Sequence, residues 1–307
     1  MPVKVLGCRD RRPATLCTSK LSAGLCDTGS GWGCASTCGD CNTTRETSTI
    51  PSPRTMWSAS HRNEKLAWHL QHRQLVAAAA AYTAYEAGTR LVLIGDSIME
   101  GWRGTRFNRS VVGLRGVAGV FNSTLEGRWP RQPLNFGISG DMSQHVLWRL
   151  APGSELSVHM QQDKQMLMLL LVGTNNLLKG KHTAEETHAG VAEVMSTLLR
   201  NTRGRLLVNA LFPFAHRHEC RPLADSPTCE TESTKAIAKV NRLIRRSVSS
   251  HQAPMAAGRG RVRFVDCGQE LWHLRETHMP DLVHPSLLGY EAWGRCMLPE
   301  LVTLAQS

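Results

Sequence analysis

The sequence is short of aromatic residues and of negative charge, and it holds no long apolar run. Phe, Trp and Tyr make up 6% of its 307 residues, so no stacking platform for nucleic-acid bases is evident. The 36 Lys and Arg outnumber the 25 Asp and Glu, for a formal charge of +11. They are scattered along the chain, and a basic surface of that kind gives only non-specific, salt-sensitive attraction to polyanions. No specific nucleic-acid partner is expected, although an acidic substrate or an anionic membrane surface could use the same field. The longest apolar runs, 76–81 and 166–172, fall far short of the ~20 residues of a membrane helix, so no transmembrane segment is expected. The opening MPVKVLGCRDRRP lacks the apolar core of a secretory signal. An intracellular protein is the expectation, with an organelle-targeting role for the N-terminal segment left open. Also missing are the H-E-x-x-H, P-loop and dinucleotide fingerprints, so no metal, nucleotide or redox cofactor is expected.

Cysteine, by contrast, is abundant at one end: six of the ten lie in the first 41 residues. The other four, Cys220, Cys229, Cys267 and Cys296, are spread out and read as reduced thiols. Cys220 and Cys229 flank a long loop, and a redox-sensitive clip is the alternative for that pair. Sequons at Asn42, Asn108 and Asn122 carry meaning only in a secreted chain. Residues 1–60 are rich in Gly, Ser, Thr, Cys and Pro without an apolar period. Such a segment buries too little surface to offset its chain entropy, and disorder is expected. Zinc binding by Cys26, Cys34, Cys38 and Cys41, a local disulfide knot and a targeting peptide are the other readings of it.

From residue 61 to 307 the pattern alternates and reads as one domain. A helix is expected over 61–87, stopped by Gly88. Short apolar runs at 90–94, 134–136, 166–172, 205–212 and 262–266 read as five strands. Between them lie a capping box at Thr183 and Glu186 leading a helix, an amphipathic stretch over 231–249, and a last helix with Pro285 as its first position. Strands alternating with helices imply an α/β fold, a mostly parallel five-stranded sheet sandwiched between helices and preceded by the disordered N-terminal segment.

In such sheets ligands sit outside the carboxyl ends of the strands. The residues after the strands there are Gly95-Asp96-Ser97, then Gly137-Ile138-Ser139-Gly140-Asp141, then Gly173-Thr174-Asn175-Asn176, and finally Asp281-Leu282-Val283-His284. These supply the parts for acyl transfer. Ser97 is the candidate nucleophile, needing a base to take its proton; His284 is that base, and Asp281 orients it. The backbone N–H groups of Ser97 and Gly140 and the amide of Asn175 are candidate oxyanion donors. Asp96 and Asp141 could be a glycosidase-like carboxylate pair, but are expected to bond loop backbone instead. Trp148 and Arg149 are expected to pack in the core.

The order GDS, Gly, G-x-N, D-x-x-H resembles the SGNH (GDSL-type) hydrolase superfamily. The runs NFGISGD, HVLWRL and VGTNN, at 135–141, 145–150 and 172–176, are similar to the catalytic alpha subunits of platelet-activating-factor acetylhydrolases. The resemblance covers roughly residues 61–305. It implies a flavodoxin-like three-layer α/β/α sandwich and a serine esterase working through an acyl-enzyme on a small ester, an acetylated lipid or sugar. By position it carries the nucleophile to Ser97, the oxyanion donors to Ser97, Gly140 and Asn175, and the orienting and base roles to Asp281 and His284. It also implies homodimers. The stretch between Ser97 and Gly140 and the loop 213–230 are longer than the family pattern. The rival readings are a carbohydrate acetylesterase on the same residues and a non-catalytic binding protein of the same fold. Removing residues 1–55 is expected to leave activity intact.

Overall fold

The apolar runs owe their strand form to brevity and to flanking Gly and Pro, which stop each before a helix can nucleate. In a computed structural model of the chain they form β1 (Arg90–Gly95), β2 (Arg131–Gly137), β3 (Met166–Leu171), β4 (Arg205–Asn209) and β5 (Val262–Val265). They pair in the order β5-β4-β3-β1-β2, and every pairing is parallel. This is the flavodoxin-like order. The structure describes residues 46–54, 62–83, 88–151, 153–216, 219–220, 229–252 and 260–307, with short strands at Leu6–Cys8, Thr15–Cys17 and Cys26–Asp27. The disorder expected over 1–60 and the zinc reading of its cysteines otherwise fall outside the described residues.

Alternation along the strands feeds two cores. Val92 and Ile94 of β1 and Met168 and Leu170 of β3 face one side. There they pack on α1 (Arg62–Ala80), α4 (Ser143–Arg149), α6 (Ala184–Asn201) and α7 (Glu232–His251), through Trp68, Val146, Val194 and Ile237. Leu91, Leu93, Leu167 and Leu169 face the other way, onto Val117 of α3 (Val117–Thr124) and Tyr290 and Trp293 of α8 (Leu287–Gln306). Each interior strand is thus apolar on both faces, which is why it reads as a continuous run.

Three expectations shift. The first helix ends at Ala80, short of 87, because Tyr82 turns inward: its ring lies under the Arg90 and Arg131 guanidinium groups and its hydroxyl donates to Asp163. The last helix begins after Ser286, whose hydroxyl accepts from Gly289 N–H, so Pro285 precedes the cap. The third concerns the thiols: Cys220 is bonded to Cys229 and Cys267 to Cys296. Cys267 lies just after β5, and α8 carries Cys296 back over it, closing a distance no spacing rule in the sequence could reveal.

Residues 46–54 belong by composition to the N-terminal segment, yet they pack on the domain as a strap. Ser48 Oγ donates to the Glu186 carbonyl (2.6 Å) and Ser52 N–H to the Gln144 carbonyl (3.2 Å). His145 meets Glu46 at 2.9 Å, and Arg54 is buried.

Candidate active site

β1 ends in a glycine because the strand runs against its neighbour: a Cβ at Gly95 would collide with the Leu171 carbonyl. The chain then turns at Asp96, whose carboxylate accepts from Ile98 N–H at 2.9 Å and so caps α2 (Ser97–Glu100). Ser97 is therefore the first helical residue at the C-terminal end of the sheet, beside the gap where strand order reverses between β1 and β3. Tyr290 of α8 braces the turn by donating to the Ile98 carbonyl (2.7 Å).

The structure brings three of the candidate residues into one hydrogen-bonded line. Ser97 Oγ lies 2.9 Å from His284 Nε2, and His284 Nδ1 lies 2.8 Å from Asp281 Oδ2. The second oxygen of Asp281 accepts from Val283 N–H (3.0 Å) and His284 N–H (2.6 Å), so one carboxylate both shapes the loop and aims the ring. Between them Leu282 holds a left-handed φ of +62°, a strained value for a branched residue that is kept only where surroundings enforce it. Burial pushes the Asp281 carboxyl up, but the hydrogen bond and charge of His284 and the two backbone N–H groups outweigh it and hold it well below the carboxylate range. Asp281 thus stays ionised at neutral pH.

The other two candidates follow β3 and β2. Asn175 opens α5 (Thr174–Leu178) after β3; its amide donates to the Asp141 carbonyl (2.9 Å) and faces Asp96 Oδ2 at 3.5 Å. Gly140 comes after β2 with φ +82°, and its place for a Cβ is taken by the Arg54 guanidinium, 2.5 Å away. The left-handed φ favours glycine there, and any Cβ would have to displace the Arg54 guanidinium. Asp141 takes side chains, not loop backbone as expected: Trp68 Nε1 at 2.5 Å and Arg149 Nε at 2.8 Å.

Asp96 is fully buried, and that desolvation pushes its carboxyl up to about 7, with the nearby Asp141 adding to the rise and the Ile98 N–H opposing it. The unfolded chain releases this proton near 3.8 and the folded one near 7. The stability the protonated group contributes is therefore complete below about 4 and is lost as pH rises through 7. Relative to Asp96→Asn, a neutral isostere, wild type should lose about 3 kcal/mol between pH 5 and 8. Urea midpoints at pH 5, 6.5 and 8 check this; parallel curves for the two proteins would contradict it.

Four contributors carried no signal in the sequence. Glu100, fully buried, accepts from Ser139 N–H (2.7 Å), Asn108 N–H (2.8 Å) and Thr105 Oγ (3.0 Å), tying the β2 loop to a short ribbon of Thr105–Arg106 and Arg109–Ser110. Arg106 from that ribbon stands 3.6 Å from Asp281. Tyr290 braces α2, and Arg54 meets Gly140. Tyr290 and Arg54 come from elements distant in sequence, and only tertiary packing assembles them. Among the described residues no three His, Cys, Asp or Glu side chains gather to hold a metal, and no helix is long and apolar enough to cross a membrane.

A candidate nucleophile on the turn after β1 and an Asp/His loop before the last helix follow the block order of the SGNH (GDSL-type) hydrolases. The chain belongs to the GDSL-like Lipase/Acylhydrolase family, whose model matches residues 93–292. The platelet-activating factor acetylhydrolase IB subunit alpha1 of Bos taurus is 31% identical over 180 residues, 57% of this chain and 66% of the relative. The alpha2 subunit of Homo sapiens is 35% identical over 85 residues, 27% of this chain and 34% of the relative. The chain thus spans just under two thirds of the alpha1 relative's length. Among solved structures, a chain from Streptococcus pneumonia described as a candidate platelet activating factor aligns with TM-score 0.53 at 16% identity, over 77% of this chain and 93% of its own. A lipolytic G-D-S-L family member from Veillonella parvula aligns with TM-score 0.50 at 16% identity, over 69% and 97%. Both likenesses concern the fold.

Proposed function

We propose that the protein is a serine esterase that hydrolyses a short-chain, most simply acetyl, carboxylic ester through an acyl-enzyme. The observation that carries this is the unbroken line from Ser97 Oγ to His284 to Asp281 at 2.9 and 2.8 Å. His284 Nε2 takes the Ser97 proton as Oγ attacks the ester carbonyl, and Asp281 holds the ring in the tautomer that leaves Nε2 free to accept. The tetrahedral oxyanion is met by the N–H groups of Ser97 and Gly140 and by the Asn175 amide. His284 then gives its proton to the departing alkoxide, and the same residues activate water to release the acid. No metal or cofactor enters the scheme.

A small acyl group is supported by the limited exposure of Ser97, 9%, and by the acetylhydrolase names of the relatives. The disulfides Cys220–Cys229 and Cys267–Cys296 support an oxidising compartment, against the intracellular expectation. A homodimer remains an implication of the family resemblance.

The test is hydrolysis of p-nitrophenyl acetate, butyrate and octanoate, then of an acetylated phospholipid and an acetylated xylo-oligosaccharide. kcat/KM should fall at least about tenfold from acetate to octanoate, since a small pocket excludes the longer chain. Turnover rising with chain length would refute the small-acyl reading. Turnover of the acetylated sugar alone would move the protein to the carbohydrate acetylesterases, and no turnover of any ester would favour a binding protein.

A further inference from the structure

The strap reaches the site through one side chain. Arg54 is 6% exposed, and its Nη1 donates to the Ser139 carbonyl at 2.7 Å. Its Nη2 lies 3.3 Å from Glu64 on α1, and its guanidinium stands 5.2 Å from the centre of the Phe107 ring. Arg54 lies well before residues 93–292, the stretch that matches the family model.

The bond to Ser139 matters because of which peptide it holds. The Ser139 carbonyl and the Gly140 N–H belong to one planar, trans peptide unit, so they point in opposite directions and rotate together. Whatever fixes the oxygen aims the N–H. Gly140 has no side chain to brace that plane, and its left-handed φ is shared by glycine with many other conformations. A fixed donor must therefore be imposed from outside. A buried charged group does it: Arg54 donates to Ser139 C=O at 2.7 Å, while Glu100 holds the preceding Ile138–Ser139 peptide by accepting from Ser139 N–H at 2.7 Å. A charge-assisted bond to the oxygen also polarises the peptide, drawing electrons from nitrogen and strengthening its N–H as a donor.

We propose that Arg54 is a positioning residue for the oxyanion hole, supplied by the N-terminal strap, that locks and polarises the Ser139–Gly140 peptide so that the Gly140 N–H is preorganised for the tetrahedral intermediate. This rests on the serine-esterase reading above. The strap itself is anchored by Glu46 with His145, by the Glu46 carbonyl with His182 (2.6 Å) and by the Ser48 carbonyl with Ser143 Oγ (2.8 Å). Loss of the oxyanion donor itself would cost about 10²–10³ in kcat; loss of its brace should cost less. On this proposal removing residues 1–55 should lower activity, contrary to the expectation from composition, since that truncation takes Arg54 with it.

The experiment measures kcat and KM of wild type, Arg54→Ala, Arg54→Lys and Ser97→Ala on p-nitrophenyl acetate, with circular dichroism melts of each. Arg54→Ala should lower kcat about 10–100-fold with KM within about threefold, because the donor acts on the transition state more than on bound ester. Arg54→Lys, which keeps the charge but not the planar fork, should fall between. Guanidinium chloride at low millimolar concentration should restore part of the Arg54→Ala rate and not that of Ser97→Ala, which a merely structural role would not produce. If Arg54→Ala does not fold, Arg54→Lys with its kcat/KM split carries the test. Turnover in Arg54→Ala within threefold of wild type, or a rise in KM with kcat unchanged, overturns the proposal while leaving the esterase reading intact. Full activity in Ser97→Ala overturns the reading beneath it.

Discussion

Replacing Ser97 with alanine is expected to reduce kcat for an activated acetyl ester by at least about ten-thousand-fold, with the unfolding transition within about 1 kcal/mol of wild type. The hydroxyl oxygen is the atom that would form the acyl bond, and no neighbouring group of the site can replace it: in the proposed scheme His284 serves as its base, and Asn175 is engaged with Asp141. The residual rate should be that of the remaining oxyanion donors acting on water. Stability should hardly move. The capping bond from Ile98 N–H to Asp96 and the Tyr290 brace on the Ile98 carbonyl do not involve the Ser97 side chain. Steady-state hydrolysis and a thermal melt on the same preparations decide it. Unaltered turnover with an unaltered melt would show that the line of Ser97, His284 and Asp281 is not where the chemistry happens. His284→Gln should fall nearly as far, because the three residues act as a unit and their losses do not add.

Much of this site is legible in the amino-acid sequence. Each strand is a short apolar run stopped by glycine or proline, and a parallel sheet places the residues after each run on one rim. Ser97, Asp281 and His284 emerge from that placement and from the order of the four blocks. The features that escape it are polar and long-range. The strap looks unstructured because a composition argument counts apolar residues, whereas residues 46–54 are held mainly by hydrogen bonds from Ser48, Ser52 and Arg54 and by the His145–Glu46 contact. The Cys267–Cys296 bond escapes because partners 29 residues apart meet only once α8 docks on the sheet. Glu100 reads as an ordinary helix residue, and nothing local announces that it is sealed beneath the ribbon. In each case an element cut off from water by a distant segment must find its hydrogen bonds there, and a linear pattern does not display that demand.

The same demand makes Arg149 the side chain whose loss should harm the fold most. It is fully buried, and its guanidinium meets Asp141 at 2.8 Å, Glu155, the Phe136 carbonyl at 3.1 Å and the Gly95 carbonyl at 3.3 Å. Burial works against the charge, but Glu155 and Asp141 outweigh it and raise the guanidinium above its usual range. One side chain thus ties the ends of β1 and β2 to the loop that carries Gly140. In Arg149→Met the two carboxylates would remain inside without the guanidinium, Glu155 keeping only His72 and Asp141 only Trp68 and the more distant His145 as side-chain partners. Breaking a buried pair from one side costs about 3–5 kcal/mol, a large share of the roughly 5–15 kcal/mol typical of a whole domain. The expected result is an unfolding free energy from urea titration lowered by that amount, with activity falling further as the Gly140 loop loses its anchor. The triple variant Arg149→Met, Asp141→Asn, Glu155→Gln separates causes. Removing the orphaned charges together with their partner should recover more than half of the lost stability, as for buried ion pairs replaced whole. A single variant within about 1 kcal/mol of wild type would show that water reaches the cluster and screens it. A triple variant no better than the single one would show that the guanidinium matters for its bonds to the strand-end carbonyls rather than for its charge.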